Sequence, residues 1–187
     1  METEQTGGGR IVNQERKDKI LDAVRDFRLP RYEEIPNVGL YLEQVTKYIS
    51  ECFAPLGNVN ITGSMISNYV KRGLVKNPVK KQYNREQIAY LVFIAAAKNV
   101  LSLDNIHILL EMQKQSFDAK AAYNYFCTEL EGTIFYVFGL KDSADAADNN
   151  AADEKMMLRN IIVTVAHQTY LHMCFDAIKG ERAPEKN

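Results

Sequence analysis

The sequence predicts a mainly α-helical protein with a small β-hairpin near its middle and a helical extension at its C-terminus. Three observations indicate this fold class. Apolar residues recur at helical spacing over most of the chain, residues 74–83 have the composition of two short strands joined by a turn, and a helical pattern resumes after residue 116. With 187 residues, 46% of them hydrophobic, the chain is long enough to bury a substantial core. We expect a disordered N-terminus at 1–14, a main domain at 15–115 and a helical C-terminal region at 116–187, which forms a helical hairpin.

The N-terminal part is predicted to form two helices joined by an extended segment. Residues 1–14 are polar and include the run Gly7 to Gly9, which is typical of a flexible terminus. The first helix has these apolar positions on one face: Ile20, Leu21, Val24 and Phe27. Pro30 ends it, and LPRYEEIPN, with a proline near each end, is predicted to be extended and packed against the main domain. The second helix is LYLEQVTKYISECF, followed by a loop at 54–60.

The next predicted helix has one apolar and one polar face. Thr62 suits its N-cap, and Gly73 is placed to end it in a left-handed conformation. The apolar face comprises Met65, Ile66, Tyr69 and Val70. The opposite face carries Ser64, Ser67, Asn68 and Lys71, with Arg72 directly after. Asparagine can read adenine edges, serine contacts several bases, and lysine prefers guanine or phosphate, so these five residues are our candidates for reading DNA bases.

A basic hairpin, the wing, is predicted to follow this helix. Leu74 and Val75 suit a first strand, and the pair Gln82 and Tyr83 suits the second. Asn77 and Pro78 supply turn chemistry between them. The candidate phosphate contacts are Lys76, Lys80, Lys81 and Arg85. Residues 61–85 contain six basic residues and no Asp or Glu, whereas the whole chain has a net charge of −1. This local excess of positive charge predicts an attraction for double-stranded DNA, with the helix in the major groove and the wing on phosphates.

The remaining elements are predicted to be helical. Asn84 caps a helix with Gln87 as its capping-box partner, and both faces of that helix are apolar, which predicts a central position. Ser102 opens another helix. A further helix ends near Gly139, a polar and acidic linker follows at 141–153, and a helix at 152–179 would extend over about 40 Å.

Two family resemblances follow from these segments. MISNYVKRGLV and NPVKKQYNREQIAYLVFIAAAKNVLSLDNIHILLE resemble the winged helix-turn-helix of the MerR regulators. LPRYEEIPNVGLYLEQV, ITGSMISNYVKRGLV and KKQYNREQIAYL, within residues 29–111, resemble a bacterial family of unknown function numbered 1836. The MerR resemblance implies a winged helix-turn-helix fold, DNA binding, and a homodimer formed through the long C-terminal helix. Typical MerR proteins begin with a short first helix, whereas the corresponding helix here, LYLEQVTKYISECF, is longer and is preceded by a further amphipathic segment; the loop at 54–60 is also longer.

The sequence shows no sign of an enzyme, a cofactor site or a metal site. Nucleophile elbows and metalloprotease motifs are absent, and Cys52, Cys127 and Cys174 lack the spacing of zinc ligands. His167 and His172 lie about 140° apart around a helix, which argues against shared metal ligation. No apolar run reaches the roughly 20 residues that cross a bilayer, and the N-terminus is unlike a signal sequence, so we expect a cytoplasmic protein without membrane contact.

Two alternatives to a dimeric DNA-binding transcriptional regulator remain open. The first is a protein–protein adaptor whose basic wing meets an acidic partner, which would be favoured if the N-terminal extension covered the polar helix face. The second is a ligand-sensing helical protein, because an aromatic cluster could line a pocket for a small apolar effector or simply form the core and the dimer interface. The cluster comprises Tyr123, Tyr125, Phe126, Phe135, Tyr136 and Phe138.

Overall fold

The computed structural model describes residues 14–143 and 153–182, and it confirms a mainly α-helical fold with a small antiparallel sheet. The helices are α1 (Gln14–Arg25), α2 (Leu42–Cys52), α3 (Gly63–Lys71), α4 (Arg85–Ala97), α5 (Leu103–Ser116), α6 (Ala119–Val137) and α7 (Asp153–Arg182). The strands are β1 (Leu40–Tyr41) and β2 (Gln82–Tyr83), and short 3-10 turns occupy Tyr32–Glu34 and Ala54–Leu56. Residues 1–13 of the predicted disordered N-terminus and most of the predicted acidic linker lie outside the described residues, whereas Gln14, predicted to be disordered, begins α1.

The sheet pairs different segments from those that the sequence predicts. Leu40 lies opposite Tyr83 and Tyr41 opposite Gln82, so the partner of β2 is the strand that precedes α2. The predicted partner, Leu74 with Val75, is wrong, since both side chains are buried in the core and the segment forms a bend. Burying these two side chains stabilises the protein more than a two-residue strand pairing at the surface would.

The turn of the predicted wing is also displaced along the chain. Val79 forms an isolated bridge with Gln82, whose N–H donates to the Val79 carbonyl at 2.9 Å. The two residues between them, Lys80 and Lys81, have φ of 50° and 63°. Positive φ at both central residues is the mark of a type I′ turn, the tightest hairpin connection. The prediction of a turn at Asn77 and Pro78 is therefore wrong.

Helix α4 lies at the centre of the core, as predicted. Its buried residues include Ile88, Leu91, Val92 and Ile94 on several sides of the helix, and it packs against α2, α6 and α7. The predicted capping box is confirmed: Asn84 Oδ1 accepts from the Gln87 N–H at 2.9 Å, and Gln87 Oε1 accepts from the Asn84 N–H at 2.8 Å.

Helix α1 and the segment after it pack against the C-terminal helices. Val24 and Phe27 are buried, and α1 contacts α6 and α7. The segment after Pro30 contains a 3-10 turn rather than the continuous extended backbone that we predicted. It is held by the buried Glu131 of α6, whose carboxylate accepts two hydrogen bonds from Arg31 at 2.6 Å and one from the Leu29 N–H at 2.8 Å. The Glu131 carboxylate raises the pKa of Arg31 above its usual value.

Helices α6 and α7 pack against each other, but they run parallel, so the helical hairpin predicted for the C-terminal region is wrong. Lys155 lies 5.1 Å from the centre of the Tyr125 ring, near the start of both helices, and the Phe138 and Tyr170 rings lie 5.2 Å apart, further along both. Gly139, with φ of 74°, follows α6, and α7 has 30 residues and continues through Gly180 to Arg182. The predicted boundary at residue 116 coincides with the end of α5, yet one continuous cluster of buried side chains extends from Val24 to Ala166. Of the helices described, none is both long and apolar enough to cross a membrane.

Candidate nucleic-acid interface

Helix α3 begins and ends as the sequence predicts. Thr62 Oγ1 accepts a hydrogen bond from the Met65 N–H at 3.2 Å, which caps the N-terminus. At the other end Gly73 has φ of 78°, and the Leu74 N–H donates to the Tyr69 carbonyl at 3.0 Å. This is the six-to-one bond of a Schellman motif, which needs glycine because a Cβ would be strained at that φ. Both ends of the helix are therefore fixed by local chemistry.

The two faces of α3 also lie as predicted. Ile66 and Tyr69 are buried, and Met65 and Val70 pack partly against the core. Ser64, Ser67, Asn68 and Lys71 are exposed, so no described residue covers the polar face.

The polar residues of α3 differ in what they can still bind. Ser67 Oγ donates to the Gly63 carbonyl at 2.9 Å, which leaves it as a hydrogen-bond acceptor. Ser64 Oγ shares a hydrogen bond with Thr62 Oγ1 at 2.9 Å. Within the described part of the chain, the Asn68 side chain has no intramolecular partner, so both its amide and its carbonyl are free for a base edge.

Arg72 is engaged by the neighbouring helix. Its guanidinium donates to the carboxylate of Asp104 in the first turn of α5, and both side chains are exposed to solvent. A phosphate at this position would compete with Asp104 for the same guanidinium. Arg72 is therefore a link between α3 and α5 as well as a candidate contact.

Lys76, Lys80 and Lys81 are exposed, and none of them forms an ion pair within the described residues. A positive φ at two consecutive lysines is unusual, because side chains with a Cβ disfavour that region by roughly 1–2 kcal/mol each. Such strain persists only where the surrounding structure holds it, and it tends to accumulate at functional sites.

The backbone that leads to this turn is anchored by a residue that the sequence analysis missed in this role. The Gln87 side chain is buried, and its Nε2 donates to the carbonyls of Lys76 at 2.8 Å and Asn77 at 3.2 Å. The capping box identified Gln87 as a helix cap, but only the fold shows that its amide also holds the segment before the turn. On the opposite side of the turn, Gly39 lets the segment before β1 approach β2 closely, since a Cβ on residue 39 would lie 2.8 Å from Gln82 Cβ.

Arg85 is half-buried and already bound to main-chain carbonyls of the protein. Its Nε donates to the Ile35 carbonyl at 2.8 Å, its Nη2 donates to the Glu33 carbonyl at 3.2 Å, and its guanidinium lies 5.8 Å from the centre of the Tyr32 ring. These contacts fasten the segment before β1 to the start of α4. They give Arg85 a structural role, and we leave it out of the proposed phosphate-binding set.

An exposed apolar row, which the sequence did not predict, lies beside the turn at Lys80 and Lys81, here called the lysine turn. Tyr41 and Val79 both pair with Gln82, from opposite sides, so the three side chains project from one face of the sheet. Tyr41 is 53% exposed and Val79 is 74% exposed. Contiguous apolar patches on a protein surface mark binding sites for a partner, whereas isolated exposed apolar side chains are common on any surface.

The described residues hold no cluster of metal-binding side chains. They contain no group of three or more His, Cys, Asp or Glu side chains placed to hold a metal ion. Burial raises the pKa of the Cys52 and Cys127 thiols to about 12, so both are protonated at neutral pH and poor nucleophiles. His172 is paired with Asp176 at 3.1 Å one helical turn away.

The geometry thus defines a mainly helical protein in which a capped helix and a lysine turn present basic side chains that no described residue covers. The chain belongs to the family described as domain of unknown function (DUF1836), which matches residues 30–126. That stretch contains α3, the lysine turn, α4 and α5. No curated protein and no solved structure matches the chain. The resemblance to MerR regulators stays a prediction.

Proposed function

We propose that this protein is a DNA-binding transcriptional regulator that places α3 in the major groove and the Lys80–Lys81 turn against neighbouring phosphates. The observation that carries the proposal is the turn itself: two lysines hold positive φ at an exposed tip, on a segment anchored by the buried Gln87. Phosphate contacts of this kind supply affinity without sequence choice.

Sequence choice is assigned to the exposed face of α3. Among the described residues nothing binds either hydrogen-bonding group of Asn68, which suits bidentate reading of adenine, and Lys71 lies one turn further along the same face. Ser64 and Ser67 retain acceptor capacity and would contact bases more weakly. The absence of acidic residues between 61 and 85 supports this assignment, because no nearby carboxylate on this segment repels the phosphates.

We further propose that α7 forms a homodimer. Met156, Val163 and Leu171 are exposed, and they lie seven and eight residues apart, which is two helical turns in each step. Such a row forms an apolar stripe on the side of α7 opposite its buried residues Val165 and Thr169. A two-fold dimer would present two copies of α3 to a palindromic site.

The test is selection of random duplex DNA by the full-length protein, with the affinity of the enriched pool measured at several salt concentrations. A palindromic motif bound with a steep loss of affinity as salt rises is the expected result. The matched variant is Lys80→Ala with Lys81→Ala, which should weaken binding to every sequence. If no sequence is enriched and the protein fails to bind DNA at low salt, the proposal is wrong.

The apolar row of Tyr41 and Val79 favours a second candidate, a protein–protein adaptor. The row lies next to Lys80 and Lys81, so an acidic partner with an apolar anchor would fit both features. The variant Tyr41→Ser with Val79→Ser separates the two functions. A regulator should keep its affinity for DNA after this change, whereas an adaptor would lose its protein partner and show no DNA binding either before or after.

A further inference from the structure

A cavity of about 440 Å³ lies where α4, the C-terminal end of α5 and the first turns of α6 and α7 meet. Its volume falls within the range of small-molecule sites in proteins. The walls are mostly apolar and aromatic, and they include Tyr90, Phe93, Phe117, Phe126 and Leu158. Of the aromatic cluster singled out in the sequence, Tyr123, Tyr125 and Phe126 line the cavity, whereas Phe135, Tyr136 and Phe138 do not.

Two of the polar side chains that line the cavity, Gln113 and Glu154, already form hydrogen bonds within the protein. The Gln113 amide donates to the Phe117 carbonyl at 2.7 Å, and the Glu154 carboxylate accepts from Ser116 Oγ at 3.1 Å. The Lys155 ammonium lies 5.1 Å from the centre of the Tyr125 ring and forms no ion pair within the described residues. The cavity therefore combines an aromatic wall with the Glu154 carboxylate and the Lys155 ammonium group, which forms no ion pair within the described residues.

We propose that this cavity binds a small aromatic molecule that carries an anionic group. Offset and edge-on contacts with the ring side chains favour an aromatic body over a flexible polar one. Lys155 would meet the anionic group, at the start of α7. The apolar walls would reject sugars, because their hydroxyl groups would lose water without gaining partners.

Helix α5 connects this cavity with the proposed DNA surface. Leu109, Leu110 and Gln113 line the cavity near one end of the helix, while Asp104 at the other end pairs with Arg72. The end of α3 also packs against α5, since a Cβ on Gly73 would lie 3.8 Å from His107 Cε1. A ligand that moves α5 would therefore change the position or the charge balance of Arg72. This regulatory part of the inference rests on the proposed function, whereas the binding part does not.

The test uses the full-length protein and two fluorescent probes that differ by one charged group. The anionic probe is 8-anilinonaphthalene-1-sulfonate, and the neutral probe is its parent, N-phenyl-1-naphthylamine. We expect each probe to bind saturably to one site per chain. The variant Ala122→Phe fills the cavity and should weaken both probes at least tenfold, whereas Ala23→Phe, a matched change at an exposed position on α1, should leave both unchanged. Circular dichroism during heating checks that each variant is folded.

A surface variant tests the anionic group without disturbing the core. Lys155→Gln should weaken the sulfonate probe by up to about fivefold, the range expected for one partly exposed ion pair, and leave the neutral probe unchanged. Equal effects on the two probes would overturn the assignment of an anionic ligand. Binding that does not saturate, or that survives in folded Ala122→Phe, would overturn the cavity as a site.

The same samples separate this inference from the proposed function. The sulfonate probe at saturation should shift the affinity for the selected DNA in the wild-type protein and not in Ala122→Phe. If the protein binds the probes but never DNA, the proposed function fails and the ligand site stands. If it binds DNA with an affinity that a bound probe leaves unchanged, the link through α5 is wrong.

Discussion

Replacing Lys80 and Lys81 by Asn and Gly should stabilise the protein and weaken its binding to DNA. Both lysines hold positive φ, with values of 50° and 63°. Asn–Gly is the pair that best suits a type I′ turn, because asparagine tolerates the left-handed region and glycine has no Cβ to strain. The substitution therefore removes backbone strain and two positive charges in one step.

The gain in stability can be worked out from the turn. Relief of left-handed strain is worth roughly 1 kcal/mol at each position, and the greater freedom of glycine in the unfolded chain returns about 0.5–1 kcal/mol at one of them. A net gain of about 1 kcal/mol remains. For a chain of 187 residues this corresponds to a rise in Tm of about 2–4 °C, which differential scanning calorimetry resolves.

The loss in DNA binding follows from the charges. Each phosphate contact contributes about 0.9 to the slope of log affinity against log salt, so losing two contacts should lower that slope by about 2. The control is Lys80→Arg with Lys81→Arg, which keeps both the charges and the strain and should change neither Tm nor slope. A lower Tm in the Asn–Gly variant would refute the turn geometry, and an unchanged slope would refute the phosphate contacts.

Three other substitutions test separate parts of the reasoning. Gly39→Ala should destabilise the protein by about 1–3 kcal/mol in denaturant titrations, because its Cβ would lie 2.8 Å from Gln82 Cβ; unchanged stability would mean that β2 yields freely. Asn68→Ala should relax the sequence preference in a repeated DNA selection while leaving binding to random DNA nearly intact, and an equal loss on all sequences would count against base reading. Glu131→Gln should cost about 3 kcal/mol of unfolding free energy, since Arg31 would lose its buried carboxylate partner, and a cost below 1 kcal/mol would contradict that pairing.

Features fixed by a few neighbouring residues could be predicted from the sequence. The cap at Thr62, the Schellman end at Gly73 and the capping box at Asn84 each depend on atoms within six residues, so the residue types alone identify them. The central position of α4 followed from apolar residues on both of its faces. For the same reason the polar face of α3 was identified correctly as the exposed one.

Features fixed by distant contacts could not be predicted. The partner of β2 comes from before α2, and no local pattern distinguishes Leu40 from Leu74 as a strand former. The turn at Lys80 contradicts the propensity of lysine, because the pairing of Val79 with Gln82 determines where the chain reverses. The sequence shows how many basic residues the site contains, but it does not show that Arg85 donates hydrogen bonds to main-chain carbonyls, because those carbonyls come from a distant segment.

The pairing of β1 with β2 also determines how much of the chain a DNA-reading fragment would need. A ladder of two residues on each side has little stability of its own, so the lysine turn is held only when the segment from Gly39 to Tyr83 has closed around α2 and α3. A fragment that begins at Ile61 would retain the sequence of α3 and the turn but lack the strand on which the turn rests. The smallest transplantable unit therefore begins before Gly39, and grafting α3 with its basic segment alone into another protein would transfer the charges without their arrangement.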